Sequence, residues 1–244
     1  MGSARLGRRP HSPDKRPAGY KEKMSRIFEK LAVWIDPVPR DGPSQMACDE
    51  ALLRVADMAV LRIFRWSEPW VSLGYFTPWA EAAAIRPDLP ACRRWTGGGL
   101  VVHENDFTFA LTAPRSEEWA RLRPEESYRV VHAALAGALL EAGHAAAMFD
   151  GEARSGAACF AGPVRYDVVD GSRKIAGGAQ RRTKRGLLHQ GSIQGTDLSS
   201  NFAERFSGAL ALATSTWDAP DSFEEAVATL GRDKYRSEEF LRKG

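Results

Sequence analysis

Apolar residues along the chain fall into short runs separated by polar or glycine-rich segments. Such runs, bounded by Pro, Gly or acidic residues, predict strands. They occupy residues 31–35, 60–66, 70–74, 100–103, 107–111, 164–169, 174–175 and 186–194. Run 60–66 alternates apolar and basic residues, which predicts a half-buried strand, and run 70–74 follows a Glu-Pro turn, which predicts a hairpin or close pair. Run 107–111 is predicted as a second strand across the turn at 104–106.

Apolar spacings of three and four residues predict helices. The clearest helix covers 125–142, where Tyr128, Val131 and Leu135 share one face and Gly143 ends the segment. Further helices are predicted over 43–53, 197–207 and 222–230. Because strands come in adjacent pairs rather than alternating with helices, the pattern predicts an α+β domain with a mixed, largely antiparallel sheet flanked by helices.

The composition adds limits on the class of protein. The 244 residues are 43% hydrophobic and 27% charged, which excludes wholesale disorder. The longest apolar stretches are too short to span a membrane. Three cysteines are too few for a disulfide framework and favour a reducing compartment, so a cytoplasmic protein is expected.

Positive charge is concentrated at the N-terminal end of the chain. Residues 1–23 hold seven Lys or Arg against two acidic residues, so the net charge of +3 leaves −2 for residues 24–244. The first 23 residues resemble a transit peptide in being basic and poor in acidic residues, but a disordered extension is favoured, with Met24 as an alternative start. Residues 24–244 are predicted to form a single domain without a nucleic-acid-binding face.

Common catalytic signatures do not occur in the sequence. There is no phosphate-binding loop, zinc-protease pair, nucleophile elbow or dinucleotide-binding turn. The five histidines and three cysteines lack metal-ligand spacing, so no metal site is predicted.

A glycine-rich segment follows two arginines. Gly97, Gly98 and Gly99 can bring backbone N–H groups close to a ligand oxygen, and Arg93 and Arg94 would add positive charge. The alternative is a tight bend between strands.

Two further residues have the chemistry of a reactive site. Lys174 opens the small-residue segment Ile-Ala-Gly-Gly-Ala and could hold a carboxylate, phosphate or carbonyl oxygen. A solvated lysine beside a hairpin is the alternative. Cys159 lies in another small-residue segment and could be a nucleophile if a nearby cation lowered its pKa. The alternative for an isolated cysteine is a small core residue.

Taken together, these segments resemble the lipoate–protein ligase and octanoyltransferase family, which shares its catalytic domain with biotin protein ligase. Residues 46–53 look like its first helix, and residues 64–75 like its paired strands. Residues 94–103 look like its substrate loop, and residues 174–180 like its catalytic-lysine motif. The resemblance runs from about Trp34 to about Phe206 and implies the mixed catalytic domain of that family.

The resemblance also implies an activity. Members attach octanoyl or lipoyl groups to a lysine of a lipoyl carrier domain, in the glycine cleavage H protein or a 2-oxoacid dehydrogenase E2 subunit. Cys159-Phe160, followed by Pro163, Tyr166 and Lys174, is most similar to the cysteine-dependent octanoyltransferases. These take the acyl group from acyl carrier protein through a cysteine acyl-enzyme and need no cofactor.

Two other activities stay open at this point. An ATP-dependent lipoate–protein ligase, using ATP and Mg²⁺, would leave Cys159 a bystander, and a non-catalytic module would bind lipoylated proteins without turnover. The short stretch after Phe206 favours a transferase, whereas the triple glycine is more typical of the ligases.

The resemblance implies that Lys174 and Cys159 are catalytic. It also implies a substrate site, formed by Arg94, Thr96, Gly97, Gly98, Gly99, His103, Trp66, Gly74, Gly177, Gly178 and Ala179. Candidate walls of an acyl slot are Trp66, Trp70, Leu73, Tyr75 and Val101. His103 is either a base or a structural residue at a strand end. The order His189-Gln190-Gly191 departs from the His-Gly order usual after the lysine motif.

Overall fold

The structure is a computed structural model that describes residues 26–151 and 162–243. Its strands are β1 (Phe28–Ile35), β2 (Val60–Phe64), β3 (Trp70–Leu73), β4 (Ala91–Arg93), β5 (Leu100–His103), β6 (Phe107–Pro114), β7 (Ala147–Met148), β8 (Val168–Asp170), β9 (Arg173–Arg182), β10 (Gly186–Ile193) and β11 (Ala211–Thr216). Its α-helices are α1 (Gly42–Val55), α2 (Trp79–Ile85), α3 (Pro124–Glu141), α4 (Phe202–Leu210), α5 (Phe223–Leu230) and α6 (Glu238–Leu241). A 3₁₀ turn covers Trp119–Arg121, and a π-helical turn covers Gly231–Tyr235.

The strands form two sheets of different size. The larger has the order β11-β1-β2-β6-β10-β9-β8-β7, and β1 is parallel to both β2 and β11 while the other pairs are antiparallel. The smaller has the order β4-β3-β5. This arrangement confirms the predicted α+β class with a mixed, largely antiparallel sheet.

The predicted hairpin or close pair at 60–74 is wrong, whereas the second strand predicted across the turn at 104–106 is present as β6. β2 pairs with β1 and β6, so both of its edges are occupied, and β3 belongs to the smaller sheet. β5 and β6 are likewise joined by a short turn but lie in different sheets. The chain therefore passes from one sheet to the other at 65–69 and at 104–106, and the two sheets meet beside the glycine loop and the lysine motif.

Helices cover both faces of the larger sheet. Phe109 and Leu111 of β6 belong to the core cluster under α3 and α4, whereas Ala110 between them contacts Leu53 of α1. This follows from the alternation of side chains along a strand. The α1 side of the sheet is the side on which the smaller sheet lies, since β3 and β4 both contact α1.

Arg62 of β2 corrects the expectation of a half-buried strand. Its side chain is 0% exposed, as are those of its partners Asp36 and Asp49. The guanidinium donates to Asp36 Oδ2 at 2.6 Å and to Asp49 Oδ1 at 2.7 Å. A buried cation needs such paired, hydrogen-bonded carboxylates, so Arg62 connects β1, β2 and α1.

Several features fall outside what the pattern predicted or the structure describes. The sequence pattern did not predict β11 or the turns and helix over 231–241, and residues 164–167 are not part of a strand.

Within 26–151 and 162–243, no helix has the length and apolar character needed to cross a membrane. Residues 1–23 lie outside the described residues, and the domain boundaries 24–244 stay a prediction.

Candidate active site

A cavity lies where the two sheets meet. The larger sheet contributes segments 177–179 of β9 and 190–192 of β10, and the smaller sheet contributes Ser72 of β3 and Val101 of β5. The cavity brings together eight of the predicted site residues, namely Lys174, Trp66, Arg94, Gly98, His103, Gly177, Gly178 and Ala179. Two distant parts of the sequence, the glycine loop and the lysine motif, therefore meet at one place.

The apolar wall differs in part from the predicted one. Trp66 and Val101 line the cavity, together with Met46 and Phe64, which the sequence pattern did not single out. Among the described residues, Trp70, Leu73 and Tyr75 are not part of this lining. Trp70 packs in the cluster around α1 and α5, and Leu73 packs with its neighbours in the smaller sheet. Neighbouring side chains along a strand point to opposite faces, so Leu73 points away from the cavity because Ser72 faces it.

Lys174 is held at the cavity by a buried ion pair. Its side chain is 5% exposed, and Nζ lies 2.8 Å from Oδ2 of the fully buried Asp167. The Tyr128 hydroxyl donates to Asp167 Oδ1 at 2.6 Å and accepts from the Gly178 N–H at 3.0 Å. A Cβ at Gly177 would lie 2.5 Å from Lys174 Cε, so the lysine needs a glycine beneath it. This excludes the alternative of a solvated lysine.

Arg94 fixes the shape of the glycine loop. Its guanidinium donates to the carbonyls of Ser72 at 2.8 Å, Gly97 at 3.1 Å and Gly99 at 2.9 Å. Much of its hydrogen-bonding capacity is therefore used on the loop itself, although Arg94 also borders the cavity.

Two glycines make the loop's close packing possible. A Cβ on Gly74 would lie 1.7 Å from the Gly98 carbonyl oxygen, and Gly98 has a φ of +82°. Gly98 must be glycine because other residues rarely adopt this backbone conformation, and Gly74 must be glycine because a Cβ there has no room. The carbonyls of Gly97 and Gly99 accept the hydrogen bonds from Arg94. Apart from Gly98, these glycines support the cavity from behind rather than lining it.

The expectation that Arg93 adds charge to a ligand is wrong. Arg93 is buried and donates to the carbonyls of Gly74 at 2.9 Å and Thr77 at 2.7 Å. Its Nε donates to the Leu241 carbonyl at 2.9 Å. Arg93 therefore joins the base of the loop to the last helix, on the side away from the cavity lining.

His103 and Trp66 form one wall as a stacked pair. Their rings lie 4.1 Å apart, with His103 Nδ1 at 2.7 Å from Asp106 Oδ2 and Nε2 at 2.7 Å from Ser72 Oγ. The Trp66 Nε1–H donates to Thr108 Oγ1 at 3.0 Å. Burial raises the pKa of Asp106, but its interaction with His103 and the hydrogen bonds from Ser192 and Thr108 outweigh burial, and the net pKa lies below its usual range. Both ring nitrogens of His103 have protein partners, which favours the structural alternative.

Sequence reasoning missed the role of Gln190. It accepts a hydrogen bond from Thr96 Oγ1 at 2.7 Å and donates one to Asp49 Oδ2 at 2.6 Å. Because Asp49 also binds Arg62, the glycine loop, β10, α1 and β2 share one buried polar network. The only signal in the sequence was the departure from the family order at 189–191, which puts glutamine at the cavity-facing position.

His189 faces the opposite side of the sheet. Its ring packs 5.5 Å from Tyr128 and 5.3 Å from His132, and Nδ1 lies 3.2 Å from Gln180 Nε2. Burial lowers its pKa well below the usual range, so the ring is neutral. His189 does not line the cavity. It packs against Tyr128, whose hydroxyl donates to Asp167.

Cys159 lies outside the described residues, so its predicted place beside Lys174 stays a prediction. Cys48 and Cys92 are described, and both are buried. Burial raises the pKa of each thiol to about 12. Neither has the lowered pKa that a nucleophilic cysteine needs. Within the described ranges, no group of three His, Cys, Asp or Glu side chains could hold a metal ion.

Sequence comparison shows what this chain is similar to. Residues 41–233 match the family model of the lipoyl protein ligase A/B catalytic domain. Octanoyltransferase LipM of Moorella thermoacetica is 33% identical over 174 residues, covering 65% of this chain and 63% of that protein. The LipM of Oceanobacillus iheyensis is 30% identical over 177 residues, covering 68% and 64%. The chain therefore spans less than two thirds of the length of these relatives.

Structural comparison agrees with the fold class. Lipoate-protein ligase A bound with ATP has a TM-score of 0.70 at 20% identity, covering 88% of this chain and 98% of the other. A structure of the bipartite lipoate protein ligase system of Thermoplasma acidophilum has a TM-score of 0.66 at 20% identity, covering 89% and 97%. At this level of identity the similarity concerns the fold.

Proposed function

This chain belongs to the lipoyl protein ligase A/B catalytic domain family, and from that membership we propose that it attaches an octanoyl or lipoyl group to a lysine of a lipoyl carrier domain. The observation that carries the proposal is Lys174, a buried ammonium that borders an apolar-walled cavity. A ligand site of this kind combines apolar walls with a few polar groups that fix orientation.

The cavity walls suit a medium-length acyl chain. Met46, Phe64, Trp66 and Val101 supply apolar surface. Each methylene group of the chain buried there would contribute about 0.8 kcal/mol to binding. The acyl carbonyl would then lie at the polar end of the cavity, beside Lys174.

Lys174 would stabilise the oxyanion that forms when the acyl carbonyl is attacked. A charged donor fixed before reaction is worth more than one that must be oriented during it. The ion pair with Asp167, itself bonded to Tyr128, supports such a fixed position. Lys174 would act as an electrostatic group, since the amide is formed on the lysine of the carrier domain.

We further propose that the acyl group passes through Cys159. The thiolate attacks the carbonyl of an octanoyl thioester on acyl carrier protein, the carbon–sulfur bond to the donor breaks, and the donor thiolate leaves and takes up a proton. The deprotonated ε-amine of the acceptor lysine then attacks the acyl-enzyme, the carbon–sulfur bond to Cys159 breaks, and the nitrogen loses a proton to solvent, which leaves the amide and the Cys159 thiolate. The order Cys159-Phe160 before Lys174, and the relatives named octanoyltransferases, support this route.

A second candidate function is ATP-dependent ligation of free lipoate. Gly98 of the glycine loop and Arg94 border the same cavity as Lys174, and backbone amides beside cations are suited to phosphoryl oxygens. In that case ATP would supply the activation of the carboxylate, Lys174 and Arg94 would bind the activated acyl group, and Cys159 would have no part in the reaction.

Intact mass spectrometry separates these functions. After incubation with octanoyl-acyl carrier protein, we expect an octanoyl adduct on the wild type and on Cys48→Ala, but none on Cys159→Ser. Pyrophosphate release with lipoate and ATP, without an adduct, would favour the ligase. A lipoyl domain whose mass stays unchanged with either donor would contradict both, and leave a non-catalytic binding module.

A further inference from the structure

A second hollow lies beside the turn between β9 and β10. Five cationic residues line this hollow, and one of them, Arg182, donates to the Ala120 carbonyl and the Ser127 hydroxyl. We define the basic surface as the other four, Arg54, Arg181, Lys184 and Arg185. Lys184 and Arg185 are exposed. Among the described residues that line the hollow, none is acidic. The basic surface is therefore a concentration of one sign of charge.

Little of this charge is neutralised within the protein. Arg54 forms an ion pair with Glu50, and Glu50 also pairs with Lys234. For Arg181, Lys184 and Arg185, the structure over 26–151 and 162–243 shows no ion pair with a carboxylate. Since residues 24–244 carry a net charge of −2, the basic surface contrasts with the rest of the body.

The positive field extends to the aromatic residues next to the glycine loop. The Arg181 guanidinium lies 5.0 Å from the Trp95 ring and 5.2 Å from the Tyr75 ring. Lys243 Nζ donates to the Tyr75 hydroxyl at 2.7 Å. That hydrogen bond, with the charges of Lys243, Arg181 and Lys234, lowers the pKa of Tyr75.

The basic surface is continuous with the wall of the cavity. Gly177 and Ala179 of β9 line the cavity, and side chains two residues apart share one face of a strand. Arg181 therefore follows Ala179 on the same face, about 7 Å further along β9. At the other side, Trp95 joins the hollow to Arg94, which also borders the cavity.

We propose that the basic surface docks an acidic face of the lipoyl carrier domain whose lysine accepts the acyl group. This inference rests on the proposed function and names how the acceptor is held at that site. Opposite charges across an interface speed encounter and fix orientation. A carrier docked there places its acceptor lysine beside the cavity. A long nucleic acid fits less well, because the negative body around the surface would repel it.

The test compares charge reversal on the basic surface with charge reversal elsewhere. The double variant Lys184→Glu, Arg185→Glu changes two exposed residues outside the cavity. The matched control, Lys30→Glu with Arg205→Glu, reverses two exposed charges on β1 and α4. Binding of an unmodified E2 lipoyl domain is measured by calorimetry without any acyl donor, at about 50 mM and about 300 mM salt. Thermal unfolding checks that each variant folds.

The expected result is a loss of affinity of about tenfold or more in the Lys184/Arg185 variant at low salt, shrinking at high salt, with the control unchanged. KM for the lipoyl domain should rise in parallel while kcat is kept. Equal affinity in both variants, no binding by the wild type, or tighter binding of a duplex oligonucleotide would overturn the docking proposal. Wild-type binding without acyl transfer from any donor would instead contradict the proposed function and leave the docking intact.

Discussion

The ammonium of Lys174 and the carboxylate of Asp167 form an ion pair that is almost completely removed from solvent, with Nζ and Oδ2 2.8 Å apart. Asp167 accepts two further hydrogen bonds, from the Tyr128 hydroxyl at 2.6 Å and the Val164 N–H at 2.8 Å. Buried charges are stable only when paired and hydrogen-bonded in this way. The proposed catalytic cation is therefore also part of the folding energetics of the domain, and the two contributions can be separated.

Removing Lys174 should affect both stability and activity. Lys174→Ala leaves Asp167 as an unpaired buried carboxylate, which should lower the free energy of unfolding by about 3–5 kcal/mol. Adding Asp167→Asn should restore much of that loss in urea denaturation. Carrier octanoylation should stay reduced by about 10²–10³-fold in both variants, because neither has the cation. Recovery of activity together with stability would show that Lys174 has only a structural role.

Tyr128 should act through Asp167 as a positioning residue. Tyr128→Phe keeps the ring but removes the hydrogen bonds to Asp167 and from Gly178. We expect unfolding to become easier by about 1–2 kcal/mol, and kcat to fall while KM for the carrier is kept. Tyr166→Phe is the control, because its hydroxyl donates to Glu125 at the surface and, among the described residues, has no bond to Asp167. Equal kcat in the two variants would contradict the positioning role.

Close packing of the glycine loop predicts different effects at two glycines. Gly74→Ala would put a Cβ 1.7 Å from the Gly98 oxygen, so the loop must move. Gly97→Ala meets no atom within 4 Å. We expect Gly74→Ala to lose about 1–3 kcal/mol of stability and to bind an octanoyl thioester more weakly, with Gly97→Ala close to wild type in both. Calorimetric melting and KM for the donor measure the two effects.

Buried histidines should make stability fall in mild acid. Burial lowers the pKa of His132 from 6.5 to about 3, so the unfolded chain binds a proton there that the folded chain excludes. The contribution of neutral His132 to the free energy of unfolding is therefore fully present above pH 6.5 and is lost as the pH falls towards 3. His132→Phe should reduce this slope by up to about 1.4 kcal/mol per pH unit. Urea denaturation between about pH 7 and pH 4 measures it.

The partly exposed His144 provides the control for that experiment. His144→Gln measures the effect of replacing a histidine outside the core, and the change of slope in His132→Phe should exceed it. Because His189 is also buried with a lowered pKa, His132→Phe should keep part of the slope. An unchanged slope in His132→Phe would mean that this imidazole is already charged in the folded protein.

Local periodicity was sufficient for most elements and insufficient for their pairing. The helix at Pro124–Glu141 and the strands at 100–103, 107–114 and 186–193 follow patterns within a few residues. Strand partners depend on contacts far apart in the chain, as where β1 lies between β2 and β11. Arg62 shows the same limit, because its carboxylate partners are 26 and 13 residues away. Because Arg62 alternates with apolar residues, the pattern predicted an exposed side chain, whereas Arg62 is buried in an ion-pair network.

The candidate site was predictable where the residue type itself was unusual. Three glycines in a row and a lysine before small residues are visible in the sequence, and both line or support the cavity. Gln190 could not be found in this way, because its partner Thr96 is 94 residues away. Asp167 was also missed, since nothing in the residue pattern indicates that this carboxylate, seven residues before Lys174, contacts the Lys174 ammonium.

The contact between Arg93 and Leu241 has a consequence for how the protein is made. Arg93 lies at the base of the glycine loop, yet its Nε–H bonds to a carbonyl 148 residues further along the chain. Until Leu241 has been synthesised, the Arg93 Nε–H lacks the carbonyl to which it donates in the folded protein. Arg93 can complete this set of hydrogen bonds only after residue 241 has been synthesised, so the base of the glycine loop depends on a residue far along the chain.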